Sequence, residues 1–337
     1  MTNNLLEVQN LSIEFSNGKK TNRVVSNINF FIKNGETLGV VGESGCGKSV
    51  TSLAIMGLIP SPSGKIPEGK ILFKDQNLVE LSEKKLRAIR GKDISMIFQD
   101  PMSSLDPAFT IGYQLDEILK LHTNMSDEQV RAKSIHLLQS VGIPSAEERY
   151  RQYPHELSGG MRQRVVIAIA LACSPNLLIA DEPTTALDVT VQAQIMDLMK
   201  ELKENMQTSI MLITHDIGVV AEMCDRVVVM YAGQIVEEAS VVELFDTSAH
   251  PYTIGLLESV PKIGDDKSNL FSIPGNVPSP EEMPAGCRFH PRCQFATDKC
   301  ISEEPGVEKI NESHSVKCWH YKQVMNEKSG ENIGTFA

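Results

Sequence analysis

The opening third of the chain is β-patterned. "VVSNINFFIKNGE" is rich in β-formers and ends in the turn Asn34-Gly35, and "TLGVV" is a short apolar run of the kind a sheet buries. "DISMIFQ" predicts a further strand, and the two prolines of "DPMSSLDP" predict a loop after it. From about Thr110 to Ala172 the texture turns helical. "IGYQLDEILKLH" carries apolar residues at helical spacing, Ser126 and Gln129 predict a capping box heading "SDEQVRAKSIHLLQSVG", and Gly142 falls where that helix should stop. Alternation then resumes: strand "NLLIADE", helix "VTVQAQIMDLMKELKEN", strand "SIMLITH", helix "DIGVVAEMC", and strands around Ala232-Gly233. Such interleaving predicts an α/β fold with parallel strands, into which the helical block, about 105–172, is inserted. After about Val260 the chain turns to proline, glycine and charge, as in "IPGNVPSPEEMPAG", which reads as a linker into a small loop-rich tail. The expected division is 1–260 for the main domain and 261–337 for the extension.

A chain of 337 residues with 41% hydrophobic content buries a large core. A net charge of −11 and a pI near 5.3 argue against broad binding to nucleic acid, which needs a basic face. The N-terminal stretch lacks the basic-then-apolar pattern of a signal peptide. The longest apolar run, "VVIAIALAC", is half of the about 18 residues that cross a bilayer. The expectation is a cytoplasmic chain with reduced thiols, where clustered cysteines favour metal over disulfides.

"GESGCGKS", Gly42 to Ser49, fits the phosphate-loop pattern G-x-x-x-x-G-K followed by Ser or Thr, after a predicted strand and before a predicted helix. The glycines let the backbone wrap phosphate oxygens, and the helix N-terminus adds N–H groups and partial positive charge. Lys48 can reach the β- and γ-phosphates, and Ser49 can ligate Mg²⁺. "LLIADEP" supplies the matching carboxylates. Asp181 is expected to hold Mg²⁺ through water, and Glu182 to polarise the attacking water.

"LSGGMRQRVVIAIAL" upstream of "LLIADEPTTALD" resembles the signature, second Walker motif and D-loop of ABC ATPases. The fold this resemblance implies is an ABC-type P-loop core with an inserted helical subdomain, an antiparallel β portion and, here, a cysteine-rich extension. It implies catalytic roles for Glu182, the switch histidine His215 and the Q-loop Gln99, with Gln99 also meeting Mg²⁺ beside Ser49 and Asp181. It implies nucleotide contacts from Gly42, Glu43, Ser44, Gly45, Cys46, Gly47, Lys48, Ser49 and Val50. It adds Ser158, Gly159, Gly160 and Asp188 toward the ATP of an opposing subunit. Phe15 sits where the family places an aromatic against adenine, although a strand Phe is more often core. Cys46, inside the loop, is expected to be shielded from alkylation by bound ATP. Cys173 and Cys224 are expected to be buried and inert.

"FQDPMSSLDP", "HPYTIGLLESVP" and "PAGCRFHPRC" resemble the ATPase subunits of bacterial oligopeptide and dipeptide importers, a group that includes nickel importers. The resemblance implies work at the cytoplasmic face of the membrane. It also implies a second, related ATPase subunit, two permease subunits and an extracytoplasmic peptide-binding protein. Nickel import, and a soluble ABC ATPase acting on nucleic acid or the ribosome, are the competing readings. The histidine–proline start of "HPYT" reads as helix packing.

Four of the seven cysteines, Cys287, Cys293, Cys300 and Cys318, crowd the tail as C-x5-C-x6-C-x17-C. The short C-x-x-C knuckle of structural zinc is missing, and four thiolates suit a 4Fe–4S cluster, which the importer resemblance also implies. Zinc, with His290, His314 and His320 as spare ligands, and merely structural thiols are the alternatives.

Overall fold

Strands covered on both faces are mostly apolar, and four short strands here are buried at every position, with only Thr37, Ser95, Asp181 and Ser209 polar among their residues. The computed structural model describes residues 4–18, 20–100, 104–184, 189–259 and 272–329. In chain order the elements begin β1 (Asn4–Ser16), β2 (Thr21–Lys33), β3 (Thr37–Val41), α1 (Lys48–Ile55), β4 (Gly64–Phe73), β5 (Gln76–Asn77), α2 (Glu83–Ile89) and β6 (Ile94–Ile97). A helical run follows: α3 (Ile111–His122), α4 (Asp127–Ser140), α5 (Ala146–Arg149) and α6 (Gly159–Leu171). Then come β7 (Leu177–Asp181), α7 (Val189–Met206), β8 (Ser209–Ile213), α8 (Ile217–Met223), β9 (Arg226–Tyr231), β10 (Gln234–Ser240), α9 (Val241–Thr247) and α10 (Pro251–Glu258). The tail contributes α11 (Asp298–Ser302), β11 (Glu308–Lys309), β12 (Ser315–Val316) and α12 (Tyr321–Ser329). The chain forms two units. The first comprises Met1–Leu6, Ile32–Thr37 and Phe73–Ile213; the second comprises Glu7–Phe31, Leu38–Leu72 and Thr214–Ala337.

In the first unit β6, β7 and β8 run parallel, with Ile97 opposite Ala180 and Asp181 opposite Ile213. All their residues are buried. The expected strand "DISMIFQ" stops at Ile97, which releases Phe98 and Gln99 into the following loop, both exposed. The predicted capping box forms: Gln129 N–H donates to Ser126 Oγ at 3.3 Å and Ser126 N–H to Gln129 Oε1 at 2.9 Å. Gly142 ends α4 at φ +73°, a left-handed turn open to glycine. Asp116 on α3 ties the block together, accepting from Ser134 Oγ and Tyr150 OH at 2.6 Å each. Cys173, expected to be buried, is half-buried instead, because it lies just past the end of α6.

In the second unit β2, β1 and β4 are neighbours in one sheet. In the other, β3 pairs parallel with β9, which is followed antiparallel by β10, β12 and β11. The tail therefore extends this sheet, with Glu237 opposite Val316, rather than being loop alone. It also supplies part of the core. Phe289 packs against Tyr231 and Tyr252 with ring centroids 5.1 and 5.4 Å away, and the two tyrosines lie 4.7 Å apart. All three rings are buried. Buried Glu237 accepts from Ala249 N–H at 2.6 Å, His250 N–H at 3.0 Å and, across to the tail, pairs with His314 Nε2 at 2.8 Å. Cys224, also expected to be buried, is half-buried beside Gly39, just past the end of α8.

Truncating Phe289 to alanine removes the tail's largest contribution to this core. The expected cost is about 3–5 kcal/mol, the range of buried phenylalanine deletions. A fall in the thermal unfolding midpoint, together with early proteolysis within 272–329, checks it.

Candidate functional site

The phosphate loop springs from the end of β3. Gly42 has φ +151°, and a Cβ there would run into the Met230 carbonyl oxygen and come within 2.8 Å of Cys46 Sγ. Gly47 has φ +105° and caps α1, with Val25 Cγ2 3.1 Å from where its Cβ would stand. Both positions therefore require glycine. Lys48 is buried and donates from Nζ to the carbonyls of Gly42 at 2.7 Å and Glu43 at 3.0 Å. Its ammonium is thus held by the first two residues of the loop. Ser44, Gly45 and Ser49 are exposed, and Val50 is half-buried.

Cys46 departs from the expectation of ATP-gated alkylation. Its side chain is 0% exposed, Sγ lies 3.8 Å from Lys48 Nζ, and burial pushes the thiol pKa up. A buried, protonated thiol resists alkylation whether or not a nucleotide is bound. Any contact of Cys46 with phosphate runs through its backbone.

The carboxylates stand at the end of β7. Asp181 is buried at 4% exposure, the last residue of the strand. Glu182, half-buried, follows at φ +48°, the left-handed region that residues other than glycine rarely occupy. Two bonds hold this strained backbone: Glu182 N–H donates to Ile213 O at 2.8 Å, and Gln163 Nε2 donates to Pro183 O at 2.5 Å. The turn brings Glu182 Oε2 within 3.0 Å of Gln99 Nε2. Two residues far apart in sequence thus meet just past the carboxyl ends of paired parallel strands, where α/β sheets present their ligand-handling groups. His215 stands exposed just beyond β8.

Ser158 caps α6, its Oγ accepting from Met161 N–H at 3.3 Å. Ser158 and Gly159 are exposed. Gly160 lets Val191 approach, with Cγ1 3.1 Å from its absent Cβ. Half-buried Phe15 lies with its ring edge against Gly64 in the second unit. Asp188 lies outside the described residues.

The four tail cysteines converge. Cys287, Cys293, Cys300 and Cys318 line one small cavity together with Phe289 and Phe295. Burial pushes the Cys293 and Cys318 thiols up to about 12 and raises Cys287 as well. Among the described residues, no three His, Cys, Asp or Glu side chains are grouped so as to hold a metal. Of the spare histidines, His290 and His320 line the cavity, whereas His314 is committed to Glu237.

Sequence patterns missed several participants. "HPYT" does more than pack: His250 caps α10, its Nδ1 accepting from Tyr252 N–H at 3.1 Å, and Tyr252 OH accepts from Glu43 N–H at 2.8 Å. Arg292, inside "HPRC", reaches Glu43. Gln163 and the left-handed turn at Glu182 carry no local signal, since both follow from packing at a strand end.

The family model for ABC transporters matches residues 25–185, and that for the C-terminal region of oligopeptide/dipeptide transporters matches residues 236–300. The chain is 52% identical over 325 residues to the oligopeptide transport ATP-binding protein AppD of Bacillus subtilis, covering 96% of this chain and 99% of AppD. It is 48% identical over 317 residues to the dipeptide transport ATP-binding protein DppD of Escherichia coli, covering 94% and 96%. Among solved structures it resembles the ATP-binding cassette MJ0796, a dimer in a post-hydrolysis state bound to ADP and Pi. There the TM-score is 0.63 at 29% identity, over 70% of this chain and 98% of that one. No helix among the described residues is long and apolar enough to cross a membrane. With phosphate loop, strand-end carboxylates and capped signature helix in the matched region, the chain belongs to the ABC transporter family, among the ATP-binding proteins of its oligopeptide/dipeptide group.

Proposed function

We propose that this protein is the ATP-hydrolysing subunit of a bacterial importer of di- and oligopeptides. It works at the cytoplasmic face of the membrane with a second, related ATPase subunit, two permease subunits and an extracytoplasmic peptide-binding protein. Relatives named for oligopeptide and dipeptide transport, aligned over nearly the whole of both chains, favour peptides over nickel. The observation that carries the chemistry is the 3.0 Å hydrogen bond from Gln99 to Glu182 on a strained strand-end turn. Backbone strain of this kind clusters at active sites, and here it coincides with the contact to Gln99.

In this reading Lys48 releases the loop carbonyls to meet the β- and γ-phosphates. Ser49, Gln99 and Asp181 serve Mg²⁺. Glu182 orients and polarises the attacking water, and His215 meets the γ-phosphate. The backbone of 42–50 wraps the phosphates, Phe15 stacks on adenine, and the Ser158–Gly160 helix tip with Asp188 serves the nucleotide of the opposing subunit.

We assign a 4Fe–4S cluster to Cys287, Cys293, Cys300 and Cys318. What supports this reading is the donor set: four thiols lining one cavity. A cubane cluster takes four cysteine ligands, and Cys287, Cys293, Cys300 and Cys318 line one cavity. When bound, the cluster supplies cross-links that pin a tail too small for a core of its own.

Glu182→Gln is expected to retain Mg-ATP binding, favour a closed dimer and lose roughly 10²- to 10⁴-fold in turnover, the worth of a positioned base. Hydrolysis at the parent rate would remove Glu182 from its role. Lys48→Ala is expected to weaken ATP binding by about 10- to 100-fold, the worth of a charge-assisted hydrogen bond, as read by equilibrium titration.

Anaerobic purification followed by iron and acid-labile sulfide assay should find both in cluster proportion. Stoichiometric zinc without visible absorbance would overturn the cluster assignment.

A further inference from the structure

We propose that Arg292, carried by the cysteine-bearing tail, is a positioning residue for nucleotide binding: it holds Glu43 and neutralises its carboxylate at the mouth of the phosphate loop. The proposal rests on residues 42–50 being that loop.

Arg292 has 6% of its side chain exposed, and each guanidinium nitrogen is engaged. Nη1 donates to Glu43 Oε1 and Oε2 at 3.1 Å each and approaches Tyr231 OH at 3.4 Å. Nη2 donates to Ile273 O at 3.3 Å and Nε to Pro274 O at 2.8 Å. The guanidinium also lies 5.7 Å from the Tyr231 ring centroid and 5.9 Å from that of Phe289. A planar fork held on several sides is a rigid donor, a role that lysine does not replace.

Glu43 is correspondingly fixed. Its N–H is taken by Tyr252 OH at 2.8 Å, and its carbonyl accepts from Cys46 N–H at 3.3 Å and Lys48 Nζ at 3.0 Å. Tyr252 is itself fully buried in the aromatic core that Phe289 completes. The loop's second residue is therefore anchored by α10 through its backbone and by the tail through its side chain. This matters because an acidic residue is a poor neighbour for a triphosphate. Unpaired, the Glu43 carboxylate repels the bound anion, and near a protein surface that repulsion is only partly screened. Paired with Arg292, it presents no net charge, and the exposed Ser44 and Gly45 keep one geometry.

The test uses the full chain assembled in its transporter, with Mg-ATP affinity measured by titration beside KM and kcat. Arg292→Gln is expected to weaken affinity and raise KM about three- to tenfold, the size of a typical remote coupling, with kcat little changed. Adding Glu43→Gln removes the stranded carboxylate and is expected to recover most of the loss, a rescue that general damage to the tail cannot produce. Parent-like affinity in Arg292→Gln, or no recovery in the double variant, overturns the proposal. Should Arg292→Gln fail to fold, Glu43→Asp, which draws the carboxylate away from an intact arginine, is expected to weaken binding in the same direction; unchanged affinity there overturns the proposal equally. Lys48→Ala serves as the control. If it binds ATP as the parent does, the loop assignment itself has failed. If it loses ATP while Arg292→Gln does not, only the role of Arg292 has.

Discussion

A strand covered on both faces can offer a polar group only where it ends. β3 in the second unit, and β7 and β8 in the first, are buried at every position, and the phosphate-loop pattern, the carboxylates and His215 come at or just after the ends of these strands. Each continuous apolar run excludes water along its length and, by stopping, defines where chemistry is possible. The rest of the architecture serves those ends. Parallel register sets Ile97 and Ala180 side by side, and the chains leaving them carry Gln99 and Glu182 into hydrogen-bond contact.

The turn at Glu182 illustrates what that arrangement costs. A glutamate at positive φ is strained by about 1–3 kcal/mol, and glycine would relieve it. Glycine would also discard the carboxylate. The structure retains the strain by engaging the backbone on both sides, through Ile213 and Gln163. Gln163 lies on the signature helix α6, so the segment whose N-terminus Ser158 caps also braces the carboxylate turn. These two motifs are mechanically joined within one unit.

The tail does comparable work in the other unit. It extends the sheet through β12, closes the aromatic core with Phe289, satisfies buried Glu237 with His314 and reaches the phosphate loop with Arg292. A segment that looks in composition like an appended, loop-rich extension is thus built into the same core as β9 and β10. Its cysteines line a cavity that shares Phe289 with that core.

Much of this was written in local sequence. The strand and helix periodicities, the Ser126–Gln129 capping box, the stop at Gly142 and the phosphate-loop glycines each depend on residues within a few positions of one another. Local backbone preference and burial pattern suffice to specify such features. The inward-facing Cys46 thiol, the left-handed Glu182, the commitment of His314 and the bond between Glu43 and Arg292 were not legible. That last pair lies 249 residues apart, and nothing in the periodicity of either segment marks it. Only packing brings such groups together. What the chain alone determined was therefore the kind of chemistry and the elements that carry it, and what the tertiary structure decided was which charges meet, because partners so distant in sequence are selected by the shared core rather than by the backbone between them.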